Sequence, residues 1–269
     1  MQKPFLKWAG GKSRLSDKIN EVLPSGSRLI EPFVGSGAVF MNTAYDEYLL
    51  ADTNADIIHL YKYLQTEGEY FIQYCKTFFT ASYNTKSEYL TNRRIFNTTT
   101  DTRLKSALFL YLNRHCFNGL CRYNNKGEFN VPFGKYENPY FPAEEMTAFF
   151  NKSKRATFMH ADFRLSLSNA TVGDVVYADP PYVPLTNTAY FTSYSIGGFS
   201  IKDQTDLRDL SLHLAEQDIP VVISNHSTEW TLQNYNEATI HEFDVQRFIS
   251  ANGSNRTKAK ELLALFKKH

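Results

Sequence analysis

Ser27-Arg28-Leu29-Ile30-Glu31-Pro32-Phe33-Val34-Gly35-Ser36-Gly37 decides the fold class. Ser27 to Phe33 reads as a short buried strand, and Gly35-Ser36-Gly37 as a small-residue loop that opens a helix. Tyr48 to Ala51 reads as a second strand, ending at Asp52. Strand, loop, helix and strand in that order begin an α/β sheet.

Moving outward, the rhythm changes. Ile57, Leu60, Tyr61, Leu64, Phe71, Tyr74 and Phe78 recur at helical spacing over Asp56 to Phe79. Glu88 to Phe96 and Arg103 to Cys116 read as further helices. Short alternating runs between Leu120 and Phe133 flank Asn124-Asn125-Lys126-Gly127, a hairpin signal. This block does not alternate strand with helix, so it reads as an insertion. From Ala156 the α/β rhythm returns. Ala156 to His160, Asp174 to Ala178 and Pro220 to Ser224 are strand candidates, with a helix over Asp203 to Glu216. Ala238 to Phe248 and Leu262 to Phe266 suit a closing antiparallel pair. The expected division is 1–55 with 146–269 as one domain and 56–145 as the insertion.

A chain of 269 residues can bury a substantial core. It holds no run of about 18 apolar residues, so no membrane helix is expected. Met1 to Arg14 lacks the apolar stretch of a signal peptide. Cys75, Cys116 and Cys121 are odd in number and show no metal-ligand spacing, and no pair among the seven His does either. A reduced, cytoplasmic setting without a metal is expected. Net charge is +1, yet Asn84 to Lys135 carries nine basic and three acidic residues, a local +6. A basic segment on an acidic body suits a polyanion, although a solvated helical face would look the same.

The first loop carries chemistry. Gly35-x-Gly37 lets a backbone approach a ligand closely, and Asp52, 19 residues after Phe33, can accept from ribose hydroxyls. A tight structural turn is the other reading. The third Gly of a dinucleotide fingerprint is replaced by Phe40, which disfavours a pyrophosphate but not an adenosyl group without one. Gly10-Gly11-Lys12-Ser13 lacks the earlier Gly of a phosphate-binding loop, where Leu6 stands, and has no good strand before it.

Asp179-Pro180-Pro181-Tyr182 follows the apolar run Val175-Val176-Tyr177-Ala178, and so sits at the carboxyl edge of a sheet, where open α/β sheets bind ligands. Two prolines fix the backbone and remove donors. The Asp179 carboxylate and the Pro180 carbonyl are then two acceptors beside an aromatic ring, which suits a planar base bearing an amino group. Such an amino nitrogen is a poor nucleophile, because its lone pair is delocalised. Acceptors on both hydrogens localise that pair and stabilise the charge that develops during methyl transfer. A Pro-Pro loop with no function is the bland alternative.

These segments resemble the DNA adenine methyltransferases of the Dam type, in the alpha group of amino-methyltransferases. The matching stretches are Phe5 to Lys12, Glu31 to Gly37, Ala51-Asp52, Asn113-Arg114, Phe117 to Tyr136, Asp179 to Tyr182, Ile249 to Gly253 and Glu261 to Phe266. The resemblance implies a Rossmann-like S-adenosylmethionine-dependent methyltransferase sheet with an inserted helical target-recognition domain carrying a β-hairpin. It implies that Trp8, Ala9, Gly10 and Lys12 line the cofactor site. Phe33 and Gly35 would lie along the methionine part, Asp52 would hold the ribose, and Asp162 and Phe163 would contact the adenine. Asp179 and Pro180 would grip the target amino group, Asp179 also belonging to the cofactor site, with Tyr182 stacking on a base flipped out of the duplex. The implied partner is double-stranded DNA at GATC sites, bound by a monomer. Arg122 would read a guanine, Pro132 or Leu120 a thymine methyl, and Lys7 the guanine before the target. Arg94, Asn124 and Lys135 would serve phosphates. Phe117, Asn118 and Tyr136 belong to the same reading pattern, and Phe117 stands where relatives often carry Tyr. Asn225-His226 could line the pocket or cap structure; Arg256, Lys258 and Lys260 could face DNA or form a charged tail. A methyltransferase of RNA or of a protein amide is the second hypothesis, and a non-catalytic DNA binder the third.

Overall fold

The computed structural model describes residues 1–184, 199–245 and 259–268. Ile249 to Gly253, Arg256 and Lys258 therefore lie outside the described residues. The chain divides into two compact units. One holds Met1–Ser16, Val34–Ala44 and Asp52–His160; the other holds Asp17–Phe33, Tyr45–Ala51 and Ala161–His269.

The second unit carries most of a seven-stranded sheet. Its strands are β1 (Arg28–Glu31), β2 (Glu47–Asp52), β4 (Asp174–Ala178), β5 (Val221–His226), β6 (Thr239–Val245) and β7 (Ala259–Phe266); β3 (Ala156–His160) belongs to the first unit. The six run in the order β2-β1-β4-β5-β7-β6. β1 pairs in parallel with β2 and β4, and β4 with β5, while β7 runs antiparallel to β5 and β6. This is a Rossmann-like arrangement. The chain steps one way from β1 and the other way from β4, so the carboxyl ends of those two strands flank a topological switch point. β4 is buried along its whole length, which explains why its sequence is continuously apolar rather than alternating. Arg28 and Asp174 clamp the amino ends of β1 and β4 through a bidentate pair, the shorter contact at 2.6 Å.

After the short helices α1 (Ser16–Val22) and α2 (Ala38–Asn42), α3 (Ala55–Glu67) and α4 (Glu69–Lys76) of the first unit replace the single helix that the apolar spacing suggested. Gly68 breaks it, with φ 53° and ψ −122°, and a Cβ there would strike the Phe150 ring at 2.6 Å. α5 (Lys86–Thr98) and α6 (Thr102–His115) start at Thr85 and Asp101, whose side-chain oxygens accept backbone N–H groups of the first turn. α6 is buried from Ser106 to His115 and forms the axis of this unit. Asn113 on α6 ties down the amino-terminal segment by accepting the Lys7 N–H at 2.9 Å and donating to the Lys7 carbonyl at 2.7 Å. α7 (Ala143–Ser153), which no sequence signal had marked, packs Phe149 against Phe5, Phe40, Tyr61 and Phe158.

The hairpin expected between Leu120 and Phe133 is an antiparallel arm held by isolated bridges, Cys116 to Phe133 and Tyr123 to Phe129, rather than by a ladder. Asn124 closes its turn by accepting from Lys126 N and Glu128 N. Its returning limb is satisfied by α5 instead. Asn97 accepts from Phe129 N and donates to Phe129 O, and the Val131 carbonyl takes both Tyr89 Oη and Arg93. Side chains of a helix thus supply part of the bonding that a partner strand would have given.

Candidate active site and DNA-reading arm

β4 ends at Ala178 and delivers Asp179-Pro180-Pro181-Tyr182 to the carboxyl edge of the sheet. Neighbouring strands and a helix hold Asp179, Pro181 and Tyr182. The Ser224 hydroxyl on β5 donates to Asp179 Oδ1 at 2.7 Å. Tyr182 Oη donates to Glu261 Oε2 on β7 at 3.1 Å, and its ring meets His226 edge-on at 4.7 Å. Asn225, fully buried, accepts from Val183 N and donates to Gln204 and Tyr235. Gln204 in turn donates to the Pro181 carbonyl at 2.7 Å. Burial, then the Asp179 charge, push the Tyr177 and Tyr182 phenols well above their ordinary value, so both remain protonated donors.

Also in the second unit, Phe33 after β1 stacks on Phe163 at 5.7 Å, and Phe199 contacts both rings at 5.5 Å. Phe163 opens the short helix α8 (Phe163–Leu167). Asp162 is its exposed N-cap, accepting from Arg164 N at 2.9 Å. The Arg164 guanidinium lies over Phe163 at 4.3 Å and pairs with Asp203 and Asp206 of α9 (Ile201–Glu216).

In the first unit, the Gly35-Ser36-Gly37 loop has two residues at positive φ, 46° and 71°. A Cβ on Gly35 would stand 2.9 Å from Trp8 Nε1, so this glycine lets the indole close on the loop. Asp52 holds the loop too: one oxygen accepts Gly35 N at 3.0 Å and the other Asn54 N at 2.9 Å. Burial pushes its carboxyl above the ordinary value, against the backbone N–H groups that favour the charged form. Each oxygen has a second lone pair with which to meet a hydroxyl. Lys12 is buried, its Nζ donating to the Gly10 carbonyl at 3.0 Å, while Ala9 and Gly10 are exposed. Phe40, where a pyrophosphate fingerprint needs Gly, is fully buried against Phe149, so no phosphate cradle exists there.

The arm displays Phe117, Asn118, Arg122, Pro132 and Lys135 on its surface, with Leu120, Asn124 and Tyr136 half-buried. Asn118 and Lys135 have positive φ, 54° and 57°. Arg122 is oriented by Asn130, Nε to Oδ1 at 2.8 Å. Lys7 stands over the Tyr136 ring at 4.0 Å, and the Tyr136 hydroxyl accepts Asn118 N at 3.1 Å. Arg94 is exposed on α5. Other charges of the basic segment are spent internally: Arg103 pairs with Glu67 and Lys105 with Asp56, both acids lying outside the segment that was counted.

Sequence reading missed Ser224, Gln204, Tyr235, Glu261 and Phe199. Ser224 had a signal: a polar residue at the end of an otherwise apolar strand. Glu261 opened a stretch that carried the resemblance, without a role; Gln204, Tyr235 and Phe199 had no signal.

The profile of the "D12 class N6 adenine-specific DNA methyltransferase" family matches residues 8–249, and the chain belongs to that family. Over 264 residues it is 50% identical to a "DNA adenine methylase" of Serratia marcescens, covering 98% of both chains. A "DNA adenine methylase" of Vibrio cholerae serotype O1 is 48% identical over 269 residues, covering 100% of this chain and 97% of the relative. One of Escherichia coli K12 is 46% identical over 263 residues, covering 98% and 95%. The protein is an adenine-specific DNA methyltransferase. Among the described residues, no helix is long and apolar enough to cross a membrane.

Proposed function

We propose that the protein methylates the N6 amino group of adenine in GATC duplexes, using S-adenosylmethionine, on a base flipped out of the helix. The observation that carries this reading is the Asp179-Pro180-Pro181-Tyr182 loop, locked at a sheet edge with an ionisable acceptor, a backbone acceptor and a ring in sequence. Asp179 and the Pro180 carbonyl accept the two amino hydrogens of the target. Tyr182 gives the base a stacking face, which offsets part of the few kcal/mol that flipping costs. The negative Asp179 carboxylate opposes the positive charge that develops on the nitrogen.

The donor set fits an adenosyl cofactor. Phe163 suits an adenine face with Asp162 at its edge; Phe33, expected along the methionine part, stacks on Phe163 with Phe199 beside them and so suits the adenine side instead. Asp52 suits ribose hydroxyls; Trp8, Ala9, Gly10, Lys12 and Gly35 suit the remainder. When bound, S-adenosylmethionine supplies an electrophilic methyl group. Residues 56–145 act as the target-recognition domain: Arg122, Leu120 and Pro132 address bases, with Lys7 from the amino-terminal segment. Arg94, Asn124 and Lys135 address phosphates, and Phe117, Asn118 and Tyr136 shape the reading edge. The enzyme works as a monomer, in the cytoplasm.

Methylating a random-site duplex library in vitro and sequencing the products tests substrate and specificity together. GATC enrichment by wild type, with no transfer by Asp179→Ala at an unchanged unfolding midpoint, is expected. Transfer spread evenly over adenines would overturn the GATC reading. Arg122→Ala is expected to cost about 1–3 kcal/mol of discrimination at one guanine.

A further inference from the structure

Ser224 is 1% exposed and lies on β5, beside β4, the strand that leads into Asp179. Its hydroxyl meets Asp179 Oδ1 at 2.7 Å, Tyr177 Oη at 3.2 Å and the Ala178 carbonyl at 3.5 Å, and the Tyr182 hydroxyl, which donates to Glu261, also lies within its reach. A hydroxyl owns one proton, so the order of these bonds matters. Tyr177, fully buried with its phenol pushed far up, is a permanent donor, and it donates to Ser224 Oγ. The Ser224 proton is thereby left to the nearest and most negative acceptor, Asp179 Oδ1. The result is a one-way chain of donors, Tyr177 to Ser224 to Asp179, in a dry setting where such chains polarise one another.

We propose that Ser224 is a positioning residue for methyl transfer: with Tyr177 behind it, it fixes the plane of the Asp179 carboxylate and so aims the lone pairs that meet the target amino group. This rests on the reading of Asp179 as that acceptor. Ser224 does not touch the substrate. Its effect is felt when the nitrogen becomes positive, because a carboxylate turned out of plane loses directionality where charge is greatest. Most of the affinity for DNA and for cofactor comes from groups other than Asp179, so both KM values change little. A role in packing alone would instead lower stability and leave turnover per folded molecule unchanged.

The test uses the full chain, radiolabelled S-adenosylmethionine and duplex DNA carrying GATC. Wild type, Ser224→Ala, Ser224→Thr, Tyr177→Phe and Asp179→Ala are compared for kcat, both KM values and unfolding midpoint. Ser224→Ala removes one atom and is expected to fold. Its kcat should fall roughly 10- to 100-fold, the range carried by a hydrogen bond to an ionised acceptor, with both KM values within about threefold. Ser224→Thr keeps the hydroxyl and should recover most of the loss. Tyr177→Phe should show a smaller fall in kcat of the same kind. A Ser224→Ala kcat within about threefold of wild type overturns the proposal. So does a loss that Thr fails to recover while its midpoint stays that of wild type, or a loss appearing only in KM. Full transfer by Asp179→Ala removes the underlying reading, and the positioning role with it; that outcome is distinct from an active Ser224→Ala beside an inactive Asp179→Ala.

Discussion

At the scale of the residue, His115 shows how far burial changes chemistry in this protein. It is 1% exposed at the end of α6, and its Nδ1 donates to the Tyr111 carbonyl at 2.8 Å. Burial, aided by the Lys7 charge and opposed by that hydrogen bond, pushes its pKa down to about 4. The fold therefore holds the imidazole neutral. An unfolded chain takes up the proton at about 6.5, so below that pH the unfolded state binds more protons. The stability that this residue contributes is complete above about 6.5 and is lost at up to ~1.4 kcal/mol per pH unit until about pH 4. Denaturant titrations of wild type and His115→Phe at pH 7.5 and 5 check this: the variant should lose less on acidification. Parallel losses would show that other groups dominate. The same reasoning marks which site residues could be read in the sequence. Asp179, Pro180 and Tyr182 were legible, because a strand end followed by two prolines is local. Ser224, Gln204 and Asn225 act on that loop from 23 to 45 positions away; Ser224 and Asn225 stand out as polar residues at a strand end, but no local pattern encodes the bonds they make.

At the scale of the element, the reading arm depends on α5. Asn97 makes a two-way bond to Phe129, donor and acceptor both, as the adjacent strand of a ladder would. Removing it leaves the buried Phe129 with two unpaired backbone groups, at about 1–3 kcal/mol each. Asn97→Ala is therefore expected to loosen the arm without unfolding the sheet. Hydrogen exchange should rise at Phe129 and neighbouring amides, and discrimination among DNA sites should fall more than affinity for random duplex. Unchanged exchange on the arm would refute this. The hairpin itself was foreseen from Asn124 to Gly127, since turn chemistry is local. The missing ladder was not, because a bond from a helix to a strand competes with strand pairing only once both are placed. Gly68 illustrates the reverse case: its apolar surroundings spoke for one continuous helix, and the crowding by Phe150 that demands a break there is tertiary.

At the scale of the whole molecule, charge is the property that sequence counting most overstated. The +6 of Asn84 to Lys135 is not all available to a polyanion. Arg103 is held bidentately by Glu67 and lies over Tyr74 at 4.0 Å; Lys105 pairs with Asp56. Arg94, Arg122 and Lys135 are exposed on the helix and arm. Measuring DNA affinity against salt separates these classes. Arg94→Ala should lower the slope of log K against log salt by about one, as the loss of a phosphate contact does. Arg103→Ala should leave the slope alone and lower stability, because it strands Glu67. Equal slope changes for the two would contradict the division.

The sequence by itself determined the α/β class, the loop of Gly35 and Gly37, the strand that leads into Asp179 and the turn of the arm. Each is set by periodicity, a proline, a glycine or an Asx turn within a few residues, and such preferences act before the chain folds. The tertiary structure alone decided the strand order that puts the ends of β1 and β4 at a switch point, the docking of the arm on α5, and the neutralisation of half-exposed cations. It alone placed Ser224, with Tyr177 behind it, against Asp179. Those outcomes depend on which distant groups share a dry space, where a bond made or missed costs most, and the linear chain does not record which groups those are.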